Sequence, residues 1–303
     1  MLSPEEAARR AANARGIASM AGSMACFVVN DALVKYASQT LPAAQLIFIR
    51  GCMATLLVLA VAHAMGATRG IGQIVRGKVA VRALVDATAT MLYLSSLFHL
   101  PLGNATAINL AAPLVMVTFA VIFLGERVNL QRWLAILAGF AGVMLIIQPR
   151  AAGFNGWAWI CLAGTLFHAT RDLLTRQIPQ TIPSILITLA TAAAVTLLSG
   201  LASVIQGWKP VTSTELLRLA AASVFLASGY YLIIHSMRGG EMSLIAPFRY
   251  TGLLFALVIG FAVWGEVPNL AAWCGIALLL GSGLYVLHGE RRARKTTLPS
   301  DVP

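Results

Sequence analysis

Long apolar blocks separated by short polar gaps run the length of this 303-residue chain. A helix that crosses a bilayer needs about 20 mainly apolar residues, because each residue advances it by about 1.5 Å through a hydrocarbon layer about 30 Å thick. Ten blocks reach that length: roughly 17–36, 42–65, 79–99, 103–124, 130–147, 156–175, 184–206, 215–237, 242–264 and 270–287. The gaps hold Gly66, Gly70, Pro149, Gly153, Pro179, Pro183, Gly207 and Pro210, residues that stop helices and turn the chain. None has room for a soluble domain. The pattern predicts an all-α integral membrane protein of ten transmembrane helices. Only the tail after Arg291 reads as disordered.

Composition agrees: 58% of residues are hydrophobic and 11% charged, where a soluble domain carries about 25% charged residues. The net charge of +11 would suggest nucleic acid in a soluble chain. Here the charges fall in the gaps between spans, so the expected partner is the lipid bilayer and not nucleic acid. With the N-terminus cytoplasmic, one side collects Arg9, Arg10, Arg15, Arg69, Arg76, Lys78, Arg82, Arg127, Arg132, Arg171, Arg176, Arg238, Arg291, Arg292, Arg294 and Lys295. The other side receives Lys35, Arg150 and Lys209. The positive-inside rule then puts both termini in the cytoplasm, in a cell membrane of bacterial inner-membrane type. Glu5 and Glu6 interrupt a signal-like n-region, so the first span is expected to be retained. Cys26, Cys52, Cys161 and Cys274 lie inside apolar runs without C-x-x-C spacing and read as small core residues, with no metal site implied.

A nine-residue phrase occurs twice: "GERVNLQRW" at 125–133 and "GEVPNLAAW" at 265–273. Each follows a span and reads as a tight hairpin. Gly125 or Gly265 stops one helix, Asn129 or Asn269 caps the next, and Trp133 or Trp273 sits at interface depth. Glu126 and Glu266 either accept bonds from the first turn of the following helix or touch substrate. A second echo pairs "NDALVK" at 30–35 with "RDLLTR" at 171–176. It aligns Asp31 with Asp172 and Lys35 with Arg176, each acid four residues before its base, an order that suits an ion pair. The chain is therefore expected to be two five-span repeats, 17–148 and 156–287, between an N-terminal segment 1–16 and a basic tail 288–303. Five is odd, so the second repeat enters the membrane inverted. That architecture is typical of secondary transporters with a midplane site.

The stretch 82–147 resembles the drug/metabolite transporter superfamily in its ten-span EamA-type branch. It has Arg82 at the start of span 3, Pro113 in mid span 4 and the G-E hairpin; "IAPFRYTGLLFA" in span 9 is the counterpart in the second half. Within the branch the chain looks most like YddG-type amino-acid exporters. It also resembles S-adenosylmethionine carriers through "NDALVKY" and "APFRY". The resemblance implies a basket of spans 1–4 and 6–9 around a central cavity, with spans 5 and 10 at the periphery. Pro113 aligns with Leu253, and Pro247 falls six residues earlier, so the halves need not bend at equivalent depths.

Ionisable groups inside spans are expensive and default to functional hypotheses. Asp31 and Arg50 lie at comparable depth in spans 1 and 2, and Asp86 and Arg249 in spans 3 and 9. Either these pairs are structural locks, or the arginines meet a substrate carboxylate and the aspartates an ammonium group. Asp86 is the first candidate for a proton-carrying carboxylate. Tyr93 in span 3 and Tyr230 and Tyr231 in span 8 either wall a central pocket or pack between helices. Asn30, Asn109 and His168 are further hydrogen-bonding candidates. Pro113 frees a carbonyl in mid span 4. Trp157 and Trp159 read as belt residues, and Ala135, Gly139 and Gly142 allow close packing of span 5.

These features point to a secondary transporter exporting small metabolites, amino acids including aromatic ones first, by alternating access. The alternative is a carrier of S-adenosylmethionine or another nucleotide-like or cationic solute. No protease motif accompanies the spans, so an enzyme is not expected. A single pseudo-symmetric chain argues against a channel. No Walker motif is present, and no cofactor is implied.

Overall fold

A computed structural model describes residues 4–124, 130–148, 155–175, 177–179, 181–239 and 245–296. Its helices are α1 (Pro4–Ala37), α2 (Ala43–Ala64), α3 (Gly77–Leu97), α4 (Leu102–Asn109), α5 (Ala112–Leu124), α6 (Leu130–Ile147), α7 (Trp157–Thr175), α8 (Ser184–Gln206), α9 (Ser213–Gly239), α10 (Thr251–Trp264) and α11 (Leu270–Thr296). Short 3-10 segments lie at Ala67–Val75 and Ala246–Tyr250. Among the described residues, all ten predicted spans are helical. Spans 4 and 9 are broken, the first into α4 and α5, the second into a 3-10 turn and α10. The helix α11 continues through Thr296, where a disordered tail was expected beyond Arg291.

Local chemistry sets the boundaries. Helices α2, α4 and α8 each start directly after an extended proline, Pro42, Pro101 or Pro183. Proline has no N–H to leave orphaned there and cannot extend a preceding helix. In span 4 the missing N–H is at Pro113, so position 113 donates nothing to the Asn109 carbonyl. The chain tightens instead, with Ala111 N–H donating to Ile108 O and Leu114 N–H to Ala111 O. Contrary to the proline spacing, the halves bend at matching depth: α5 begins at Ala112 and α10 at Thr251. A proline at 113 and a 3-10 turn containing Pro247 interrupt the two spans at almost the same place.

Contacts at the chain reversals give the direction of every span. One end of the bundle joins Lys35 to Leu100 and Glu266, Ala44 to Gln206, Gln45 to Lys209, Asn155 to His99, and Gln148 to Asn269. The opposite end joins Lys78 to Gln177 and Arg82 to Thr175. The C-terminus of α1 therefore meets the N-terminus of α7 at one face, and the second repeat runs inverted. Packing obeys the same exchange. α1 packs on α9 as α7 packs on α3, α2 crosses α9 as α8 crosses α3, and α1 meets α10 as α7 meets α5. The peripheral helices α6 and α11 pair with each other. They pack closely because a Cβ at Gly142 would lie 2.6 Å from the Gly275 carbonyl oxygen. The small residues of span 5 thus serve packing within the chain.

The radial distribution of side chains is that of a membrane protein. Leu56, Leu197, Leu201, Leu217, Val258 and Phe261 are exposed, while Asn30, Gln45, Arg50, Asp86 and His168 are buried. Among the described residues, α1, α2, α8, α9 and the stretch Leu102–Phe119 across α4 and α5 are long and apolar enough to cross a membrane. Helices α3 and α7 are not among them. They carry Arg82, Asp86, Arg171 and Asp172, and they pack on each other.

The second G-E hairpin forms as expected. Gly265 adopts φ 66°, and the N–H groups of Gly265 and Glu266 donate to Phe261 O and Gly260 O, the wrapped end that glycine permits. Asn269 Oδ1 accepts from Ala272 N–H at 2.9 Å, capping α11. Glu266 does not serve that helix. Its Oε2 accepts from the N–H of Leu102, the first residue of α4. Of the first copy, residues 125–129 lie outside the described residues.

Candidate functional site

Buried polar residues form two clusters. The first lies within the first repeat and spans α1, α2 and α3. Arg50 Nη1 donates to Asn30 Oδ1 at 3.0 Å, Asn30 Nδ2 donates to Asp31 Oδ1 at 2.9 Å, and the Tyr93 hydroxyl donates to Asp31 Oδ2 at 3.0 Å. The expected Arg50–Asp31 contact is thus relayed through Asn30, whose amide has both a donor and an acceptor to offer. Arg50 is 4% exposed, and its Nε is buried without a hydrogen bond among the described residues. Lys35 is not the partner of Asp31 that the i,i+4 spacing suggested. It lies at the end of α1, where its ammonium reaches Glu266 and the Leu100 carbonyl.

The second cluster ties α3 to α7 and α8. Arg171 Nη1 donates to Asp86 Oδ1 at 2.9 Å, and Arg171 Nε donates to Asp172 Oδ1 at 3.0 Å. Arg82 stands 3.4 Å from Asp86 Oδ2 and donates to the hydroxyls of Thr175 and Thr191, both at 2.7 Å. Asp86 therefore pairs with Arg171 and Arg82, not with the expected Arg249. Arg249 belongs to the 3-10 turn at the break of span 9.

Tyr93 carries the first cluster on to His168. Their ring centroids are 5.9 Å apart, and His168 Nδ1 lies 2.8 Å from Asn109 Oδ1. That amide sits on the last residue of α4, where the helix breaks. The other repeat repeats the aromatic contact: Tyr230 of α9 packs edge-on against Phe27 of α1 at 5.2 Å. Phe27 and His168 keep the offset that aligns Asp31 with Asp172, whereas Tyr230 falls about one helical turn short of Tyr93's counterpart, so the two ring pairs correspond only in part. Tyr231, one residue further on, is 69% exposed and lies away from both pairs.

Of the sequence candidates, Asn30, Asp31, Arg50 and Tyr93 come together, as do Asn109 and His168. Asp86 gains Arg82, Arg171 and Asp172, which the charge pattern had assigned to the cytoplasmic edge or to a helix-surface pair. Trp157, read as a belt residue, stacks on His99 at 3.9 Å, whereas Trp159 is exposed. Cys161 is buried, but Cys274 is exposed on α11 and is no core residue.

The model of the EamA-like transporter family matches residues 14–148 and again 155–287. The chain belongs to the EamA-like transporter family. It is therefore a multi-pass membrane transporter of small metabolites and not an enzyme, and the double match agrees with the duplicated architecture. It is similar to a riboflavin transporter of Rhizobium johnstonii, with 27% identity over 71% of each chain. It is also similar to a pseudopaline exporter of Pseudomonas aeruginosa, with 27% identity over 84% of this chain and 89% of that one. An S-adenosylmethionine uptake transporter of Rickettsia prowazekii is 22% identical over 88% of this chain and 90% of that one. A solved structure with 18% identity superposes with a TM-score of 0.62, covering 94% of this chain and 99% of that one, and supports the fold.

Proposed function

We propose that this transporter carries small zwitterionic metabolites, amino acids including aromatic ones among them, out of a bacterial-type cell with both termini in the cytoplasm. The observation that carries the reading is the chain Arg50–Asn30–Asp31–Tyr93, which holds a guanidinium and a carboxylate in one buried cluster. A solute bearing an ammonium and a carboxylate can replace these internal partners with its own. Arg50, with a hydrogen-bonding group to spare, takes the carboxylate, and Asp31 takes the ammonium. Tyr93, His168 and Tyr230 supply ring faces beside them, and Asn109 a polar group at the helix break. The second cluster, around Asp86, Arg171 and Asp172, is the equivalent station toward the other end of the bundle.

A second reading is favoured by the relatives. Two of them move riboflavin and S-adenosylmethionine, solutes with flat heteroaromatic rings, and the two ring pairs suit such a solute as well. Initial flux of L-phenylalanine, L-threonine and S-adenosylmethionine into liposomes holding the purified protein separates the two. Amino-acid flux is expected. Asp31→Asn keeps the shape of the side chain and an acceptor for Tyr93 but removes the charge that takes the ammonium. A bond to a charged group contributes about 1.5–3 kcal/mol, so apparent affinity for both amino acids should fall by about ten- to a hundredfold. Flux of S-adenosylmethionine alone would transfer the assignment to the second reading.

A further inference from the structure

One ionic contact lies outside both clusters, at the bundle end where α1, α3 and α10 finish and α4 begins. The Lys35 ammonium donates to the Leu100 carbonyl at 2.6 Å and to Glu266 Oε1 at 2.5 Å, and it stands 4.8 Å above the Trp264 ring. The second oxygen of Glu266 accepts from Leu102 N–H at 2.7 Å. Three chain segments thus converge on one ion pair. Lys35 and the Leu100–Leu102 turn belong to the first repeat, Trp264 and Glu266 to the second. The pair is mostly shielded, with side chains 9% and 19% exposed, so it is weakened less by water and salt than a surface pair.

Two cavities flank it. One, of about 290 Å³, is lined by Lys35, Ser38, Gln39, Phe98, His99 and Trp264 among others. The other, of about 250 Å³, is lined by Glu266 with Pro101, Asn104, Gly260 and neighbouring residues of α10 and α11. Lys35 lines the first and Glu266 the second, so the ion pair links side chains of the two.

We propose that Lys35–Glu266 is the latch that holds this face of the transporter shut, and that the face opens when the pair parts. The latch joins the repeats through the Lys35 and Glu266 side chains and the Leu102 N–H. Rotation of one repeat against the other, the motion inverted-repeat carriers use, must break it. Gly260 is built to accommodate it: a Cβ there would lie 2.9 Å from Glu266 Oε2. A methyl at this position pushes the carboxylate off its partners without removing any charge.

Cys161 is a native reporter. It is buried four residues into α7 from this end, with its thiol 3.7 Å from the Ala105 carbonyl. In a protein retaining only this cysteine, its labelling by an impermeant maleimide is timed in oriented vesicles, with reagent on one side or the other. Lys35→Gln removes the ammonium, Glu266→Gln keeps an acceptor for Leu102, and Gly260→Ala displaces the carboxylate. Each should speed labelling from the Lys35 side by about tenfold, the shift that about 1.4 kcal/mol gives a two-state equilibrium, and leave the opposite side unchanged or slower. Gly260→Ala keeps the assignment testable if a charge variant does not fold. Unchanged labelling in the folded variants, or equal acceleration from both sides, overturns the latch. The second result is the signature of general loosening.

Discussion

At the scale of single residues, a charge inside this bundle is tolerated only with a partner. Removing one member of a buried pair leaves the other uncompensated, which costs about 3–5 kcal/mol. Asp86 is the test, because its 3%-exposed side chain answers both Arg171 and Arg82. Asp172 answers Arg171 from a side chain 28% exposed, and its loss leaves Arg171 still paired with Asp86. Asp86→Asn should therefore lower stability by about 3–5 kcal/mol. Asp172→Asn should cost about 1 kcal/mol or less, the range of a solvated pair. Thermal unfolding of the detergent-solubilised variants measures both, and equal losses would refute this ordering. The sequence makes such residues conspicuous because charge is so improbable inside an apolar block. It does not reveal their partners, which depend on the rotation of each helix about its axis. Asp86 and Arg249 match in depth, yet Arg171 faces Asp86 because α3 packs on α7. Lys35 likewise turns from Asp31, its neighbour along the helix, to Glu266, far away in the chain.

At the scale of elements, span lengths and stops were legible because hydrophobic thickness and proline geometry act locally. The Gly265 turn and the Asn269 cap follow from residue type alone. The matched breaks in spans 4 and 9 were not legible, since Pro113 and Pro247 stand at different positions and only the packed structure shows α5 and α10 starting together. The break at Pro113 places Asn109 beside His168 and exempts the Asn109 carbonyl from a bond with position 113. Pro113→Ala restores that donor and permits a continuous helix from Leu102 to Leu124. One added backbone hydrogen bond contributes about 0.5–1.5 kcal/mol. The variant should unfold at the same or a higher temperature while its flux falls, because the Asn109–His168 contact is displaced. Unaltered flux with raised stability would show that the bend is dispensable for transport.

At the scale of the whole molecule, the inverted duplication explains why one chain carries two copies of the same hairpin phrase. A spanning repeat with an odd number of helices delivers its copies to opposite faces. The contacts at the two bundle ends establish that inversion, and the distribution of Lys and Arg supplies the expected orientation: the Lys78–Gln177 end in the cytoplasm, the Lys35–Glu266 end outside. Gly72 lies on the 3-10 segment at the first end, and a Cβ there meets nothing within 4 Å. Thr214 is exposed in the first turn of α9 at the second end. Gly207, although nearby, is a poorer site because its φ of 78° would strain a cysteine. In a background lacking the four native cysteines, Gly72→Cys should resist an impermeant maleimide in intact cells and react in inside-out vesicles. Thr214→Cys should do the reverse. Reaction of both from one side would contradict the inversion. The same opposition with the sides exchanged would leave the fold intact and reverse its orientation in the membrane. The Lys35–Glu266 latch would then guard the cytoplasmic entrance instead of the external one.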